Sequence, residues 1–353
     1  PPLSSAARPS GVHEKGKAMP KKLGVGVVGV GVFGEQHAKV YSQLEHVRLI
    51  GVADLNETRC AQVAKTFGAK AFGDYNELVA RADIDLVAVC TPDDAHLHPV
   101  LAALSAGKHV FVEKPFATSV ADCTKMASAA ELAGRKLTVG QILRFDPRYH
   151  VAREAVARGD VGEIVHLTVR RNNQMASADR LGGRTSVLFF LGIHDLDFMN
   201  WCVGSKLQRV YCESTRRVLD NADDTYLALV RYENGVIASL EASWVLPRGY
   251  GKLEAEAEIV CTNGTVFVDG SANAVRVATS GPVNHPDVTY GPEVAGLSYG
   301  ALRHQLTHFV DCIRFGGEPL VSPAEAAQAV AGICAMERSL KTGAPVYLGR
   351  KPK

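Results

Sequence analysis

Residues Gly29-Val30-Gly31-Val32-Phe33-Gly34 set three glycines in the spacing G-x-G-x-x-G, directly after a β-branched run and directly before a helical pattern. That spacing suits a pyrophosphate. The first glycine permits a tight turn, the second lets backbone approach the phosphates, and the third lets helix and strand pack closely. The helix that follows opens with Val32 and Phe33, and its start offers unsatisfied N–H groups and the positive end of a dipole. Asp54 ends the next strand pattern, Gly51-Val52-Ala53-Asp54, 20 positions past Gly34. A carboxylate there accepts from both ribose hydroxyls and repels a 2′-phosphate. NAD is therefore the expected dinucleotide, with NADP kept open because Arg59 stands near enough in sequence to meet a phosphate. The bland alternative is a glycine-rich turn that binds nothing; the joint placement of strand, helix and acid argues against it.

Three more motifs carry chemistry. Cys90-Thr91-Pro92-Asp93-Asp94-Ala95-His96 follows a predicted strand, Glu113-Lys114-Pro115 follows another, and Gly192-Ile193-His194-Asp195-Leu196-Asp197 comes later. With the glycine turn, they resemble the glucose–fructose oxidoreductase, inositol dehydrogenase and rhizopine-catabolism (Gfo/Idh/MocA) family, from about Lys22 to Cys202 and more loosely beyond. The resemblance implies an NAD(P)-dependent dehydrogenase acting on a secondary alcohol of a sugar, cyclitol or sugar nucleotide. It implies that Lys114 sits beside the nicotinamide and the substrate hydroxyl, and that His194 is the general base. It also implies that Thr91, Pro92, His96, Glu113 and Gln141 lie near the cofactor. The pair makes chemical sense: an alcohol yields hydride readily only as its proton leaves, which calls for a base near neutrality and a cation beside the developing alkoxide.

Several of these residues admit a second reading. His96 reads equally as a helix-start residue facing solvent, and Arg144 as structural support or a ligand contact. Asp197, three residues past His194 on a predicted helix, would orient the imidazole, touch a substrate hydroxyl or bridge elsewhere, whereas Asp195 points away. Many family members carry an acid four residues before this histidine, and here that residue is Phe190. The departure keeps open a cofactor-sensing regulator of the same fold that has lost catalysis. Arg170 and Arg171, followed by Arg180 and Arg184, concentrate guanidinium groups ahead of His194. Arginine forks suit carboxylate and phosphate, so Arg171, Arg180 and Arg184 are candidates for an anionic substrate; a solvated loop or subunit contact is the alternative. His304 and His308, and likewise His96 and His98, have no third ligand in pattern, so no metal is expected.

The elements that must position these groups follow from periodicity. Short β-branched runs at 24–28, 49–54, 86–90, 109–113 and 137–140 alternate with helical patterns, which argues for βαβ units. After Arg144, strand-like segments dominate, with a helix-rich insertion near 187–202 and two late amphipathic helices at 299–315 and 323–341. The expected fold is α/β: a doubly wound parallel Rossmann sheet at 21–144, then an α+β domain at 145–353 with a large, mainly antiparallel sheet. A loose extension, Pro1–Pro20, precedes them, and the late helices are free to pack back on the first domain.

Of the 353 residues, 46% are hydrophobic and 22% charged, enough apolar matter for two cores. A formal charge of +2 gives no field for a nucleic-acid backbone. No apolar run of about 18 residues exists for a membrane span, and no secretory leader is evident. Eight dispersed cysteines without C-x-x-C spacing point to a reducing cytoplasm. An exposed sheet face would favour a homodimer or homotetramer.

Overall fold

The structure is a computed structural model that describes residues 22–250, 253–271, 275, 277 and 285–349; the expected extension at Pro1–Pro20 lies outside them. Strands β1 (Leu23–Val28), β2 (Val47–Ala53), β3 (Lys70–Phe72), β4 (Leu86–Val89), β5 (His109–Val112) and β6 (Leu137–Val139) form one parallel sheet in the order β3-β2-β1-β4-β5-β6. Helices α1 (Val32–Gln43), α2 (Glu57–Phe67), α3 (Tyr75–Val79), α4 (Leu97–Ser105) and α5 (Val120–Ala133) make the crossovers. The inner strands are rich in Val, and β4 is an unbroken run of Leu, Val and Ala with every residue buried, because helices cover both faces. Side-chain caps set the helix starts: Asn56 accepts from the Arg59 amide and Ser119 from the Asp122 amide. Strand β3 and helix α3, of three and five residues, are absent from the sequence reading because neither is long enough to show a period.

Helix α6 (Pro147–Ala157) leads into β7 (Ile164–Gln174), which is followed by α7 (Met175–Leu181), a π-helical turn at Leu188–Gly192 and α8 (Ile193–Val203). Next come β8 (Leu207–Thr215), β9 (Thr225–Tyr232), β10 (Ile237–Leu246), β11 (Glu254–Cys261), β12 (Gly264–Asp269) and the hairpin of β13 (Glu293–Val294) and β14 (Leu297–Ser298). Helices α9 (Gly300–Phe315) and α10 (Pro323–Thr342) and strand β15 (Val346–Tyr347) close the described chain. The second sheet runs β12-β11-β7-β10-β9-β8-β15. All its neighbours are antiparallel except β7 and β10, so the sheet is mixed. Strand β7 carries Arg170 to Asn173 as strand residues.

Alternation along β9 and β10 turns Ala228, Val230, Ala238 and Leu240 into the core, while Leu227, Leu229, Ile237 and, on β12, Phe267 stay exposed. One face of the sheet is thus packed and the other open. Helix α9 lays Leu302, Leu306 and Phe309 into the same core as β1, β2 and α1. Helix α10, started by a Ser322–Glu325 capping box and Pro323, packs on α5, α8 and β8. The late helices therefore clamp the second half of the chain to the first sheet. Among the described residues no helix is long and apolar enough to cross a membrane.

Candidate active site

Between β1 and β4 the strand order reverses, and a cleft of about 710 Å³ opens at their C-terminal ends. The glycine turn forms one wall. Gly29 has φ 82°, and a Cβ there would stand 2.7 Å from the Thr91 amide nitrogen, so neither the conformation nor the space admits a side chain. A Cβ on Gly34 would come within 1.8 Å of the Gly29 carbonyl oxygen, the close strand–helix approach that the spacing requires. Gly31 is open to solvent, and α1 starts just past it with no side-chain cap. The first N–H groups of the helix are thus left for an anion. Exposed Val32 and Phe33 line the same cleft.

Asp54 faces this wall from the end of β2. Its Oδ2 accepts from the Val30 amide at 2.7 Å and its Oδ1 from the Asn56 amide at 2.8 Å, which fixes the carboxylate beside the turn. Arg59 donates to the Val30 carbonyl and, at 3.1 Å, to Glu35, and it does not line the cleft. The cation that would have welcomed a 2′-phosphate is already engaged. Thr91 and Pro92 line the cleft, as do Leu55 and Tyr75, which the sequence reading passes over, and His98, which it weighs only as a metal ligand. Leu55 comes just after β2, the signal by which it could have been found, whereas Tyr75 follows β3, too short to read, and His98 lies in the first turn of α4.

At the other end of the cleft, Lys114 follows β5 and joins Pro115 through a cis peptide. Its Nζ donates to the Phe190 carbonyl at 3.1 Å and lies 4.7 Å from the Phe190 ring centroid. Burial pushes the amine below the usual lysine range, and the neighbouring Glu113 carboxylate opposes that fall. His194 is the second residue of α8, half-buried, following the cleft-lining Phe189 and Phe190 in sequence and not itself among the lining residues, with Nδ1 unpartnered. Burial first, then the charges of Lys114 and Arg171, push this imidazole well below the ordinary histidine range, so it is a neutral base at pH 7. Phe190, four residues earlier on the π-helical turn, takes the cleft-lining position and packs 6.0 Å from Trp244. Such widened turns gather at functional sites.

Four expectations are corrected. Asp197 neither orients His194 nor reaches the cleft: it is buried and takes two hydrogen bonds from Arg144, at 2.9 and 2.8 Å. Arg144 also bonds Glu325 and the Leu320 carbonyl, so it is the support that ties α8 to the start of α10. Arg171 is buried on β7, paired twice with Asp195 and once with the Tyr149 hydroxyl, and cannot meet a substrate. His96 faces neither solvent nor cleft; it bonds the Pro115 carbonyl at 2.9 Å and the Thr91 carbonyl at 3.1 Å, holding two cleft loops together. Gln141 is buried and does not line the cleft, its amide unpartnered. Glu113 does line the cleft, as do Arg180 and Arg184. Arg184 pairs with Asp93 at 2.7 Å across the cleft, whereas Arg180 has no ion-pair partner among the described residues.

Two family models match the chain: an oxidoreductase family with an NAD-binding Rossmann fold over residues 23–141, and the GFO/IDH/MocA C-terminal domain over residues 149–267. The inositol 2-dehydrogenase of Rubrobacter xylanophilus is 34% identical over 262 residues, covering 72% of this chain and 74% of its own. The NAD(+)-linked scyllo-inositol 2-dehydrogenase of Bacillus subtilis is 26% identical over 335 residues, covering 92% and 96%. Among solved structures, scyllo-inositol dehydrogenase from Lactobacillus casei with NAD(H) and scyllo-inositol superposes with a TM-score of 0.81 at 23% identity, covering 93% and 99%. At that identity the likeness speaks for the fold.

Proposed function

Because the chain belongs to the Gfo/Idh/MocA oxidoreductase family, with its NAD-binding Rossmann fold, we propose that it reversibly oxidises a secondary alcohol on an anionic sugar, cyclitol or sugar nucleotide. The observation that carries this reading is the chemistry of the wall facing Lys114. Arg180, Leu181, Arg184, Thr185, Phe189 and Phe190 line it, and none is a carboxylate. The acids nearby already have partners: Asp93 and Glu113, which line the cleft, pair with Arg184 and His37, and outside it Asp179 pairs with Arg248, Asp195 with Arg171 and Asp197 with Arg144. A neutral polyol needs acceptors for its hydroxyls, and burying a hydroxyl unpaired costs about 1–3 kcal/mol. A substrate that brings its own carboxylate or phosphate meets Arg180 and Lys114 instead.

Bound NAD supplies the hydride acceptor. The residues of the chain do the rest. His194, held neutral, takes the hydroxyl proton as the C–H hydride leaves, and Lys114 holds the oxygen through its passage to a carbonyl. In the reverse direction the imidazolium returns the proton. Asp54 selects the ribose, and the start of α1 holds the pyrophosphate.

We assign residues 21–144 to the cofactor domain and 145–353 to the substrate and oligomerisation domain. Leu227, Leu229 and Phe267 on the open sheet face support pairing with a second copy, in a homodimer or homotetramer. All eight cysteines are unpaired, which supports a reducing cytoplasm.

The test presents NAD with two panels, one of hexuronates, sugar phosphates and sugar nucleotides and one of neutral inositols and hexoses, and follows cofactor reduction. The reading expects turnover in the anionic panel and, for Arg180→Ala, a KM raised about tenfold or more, the worth of a charged hydrogen bond. Preferred turnover of neutral polyols, with KM unmoved in that variant, would overturn the anionic assignment.

A further inference from the structure

His37 lies on α1, three residues past Gly34, and is fully buried. Its Nε2 stands 2.8 Å from Glu113 Oε1, and the other Glu113 oxygen accepts from the Lys114 amide at 3.2 Å. Gly140 makes room for this carboxylate: a Cβ there would sit 2.9 Å from one of its oxygens. One hydrogen bond thus joins the phosphate-binding helix to the loop that carries Lys114. A carboxylate this largely withdrawn from water, in the lining of a cleft, is pushed toward its protonated form. Here the imidazole and the Lys114 amine keep it ionised, below the usual carboxylate range in spite of burial.

The consequence falls on Lys114. Around its amine stand the negative charges of Glu113 and Asp93 and the positive charges of Arg171 and Arg180, while burial disfavours the ammonium form. Glu113 is the largest of the influences that keep it charged. Around Glu113 stand His37, Lys114, His96, Cys90 and Tyr41. Among these only His37 meets the carboxylate through a side-chain hydrogen bond.

We propose that His37 is a positioning residue for Lys114: by fixing the Glu113 carboxylate behind the amine, it holds Lys114 charged and aimed at the reacting oxygen. The inference rests on the reading of Lys114 as the group that holds that oxygen. It gives α1 a second task, since the helix that takes the pyrophosphate also sets the charge at the far end of the cleft.

The test needs neither substrate nor NAD, so its outcome is separate from that of the dehydrogenase reading. Lys114 in the intact protein is trace-labelled with acetic anhydride across a pH series, and the labelled peptide is quantified by mass spectrometry. In Glu113→Gln, which keeps the shape and drops the charge, the midpoint of Lys114 labelling falls by about one pH unit or more, the usual worth of a close opposite charge. In His37→Leu it moves toward the Glu113→Gln value, and in His37→Gln, whose amide can still donate, it stays nearer the wild type. Thermal unfolding of each variant identifies those that are folded. A folded His37→Leu protein with the wild-type midpoint overturns the proposal. If that variant does not fold, an unmoved midpoint in Glu113→Gln or a Glu113→Gln-like midpoint in His37→Gln overturns it equally.

Discussion

The Arg144–Asp197 pair separates a structural from a catalytic carboxylate. Both side chains are 1% exposed and share two hydrogen bonds. Removing one member of a buried ion pair costs about 3–5 kcal/mol, because the other is left charged and dry. In Asp197→Leu the guanidinium keeps Glu325 at 2.9 Å, the Leu320 carbonyl at 3.0 Å and the Trp201 ring at 5.3 Å, so the loss belongs near the lower figure, about 3 kcal/mol. In Arg144→Met the Asp197 carboxylate loses its ion-pair partner, and the loss belongs near the upper figure, about 5 kcal/mol. The double variant leaves neither charge of the pair stranded and should lose less than the sum of the two, giving a coupling of about 1–3 kcal/mol. Urea unfolding at pH 7 measures all four proteins, and NAD-linked turnover is read on each at a temperature where it is folded. A fully stable Asp197→Leu protein whose turnover collapses would refute the reasoning, because the carboxylate would then be acting on the substrate.

Three further outcomes are expected. Asp54→Ala weakens NAD binding about tenfold or more and NADP binding less, because the lost charge repels only the latter; equal losses in a titration of both dinucleotides would contradict this. Phe190→Asp puts a carboxylate beside Lys114 and should shift preference from anionic toward neutral polyol substrates, read as the ratio of kcat/KM between the two panels; an unchanged ratio would remove Phe190 from specificity. Burial lowers the folded-state pKa of His96, His194 and His308, and of His109 to about 4. Their unfolded forms bind protons from about pH 6.5 downward, so stability is full above that pH and falls as the pH drops through it. Urea midpoints that stay flat from neutrality to mild acid would contradict that sign.

What the sequence makes legible here is local. The turn at Gly29 to Gly34 and the acid at Asp54 stand where the pattern puts them because strand, turn and helix follow within a few residues, and the close approach of Gly34 to the Gly29 carbonyl lies within the turn itself. The parallel sheet is legible because helices must cover it. The partners of buried charges are not legible. Helical spacing puts Asp197 on the side of His194 but is silent on what lies opposite, and Arg144 is 53 residues away in sequence. His37 reads as one more residue of an amphipathic helix until Glu113, 76 positions on, is brought against it. Arg171 fits a cluster of exposed guanidinium groups until β7 turns it inward to Asp195. The parallel pairing of β7 with β10 is hidden for the same reason: register between distant strands is settled by packing, not by periodicity.

The central claim is that Lys114 and His194 together serve hydride transfer beside a dinucleotide held at the glycine turn. Its most direct test compares the wild type with Lys114→Ala and His194→Ala, measuring NAD affinity by titration and cofactor reduction with the best substrate of the panels. Both variants should bind NAD about as the wild type does and turn over about 100-fold more slowly or worse, the usual worth of a positioned acid–base group. Near-normal turnover in either one would contradict the account.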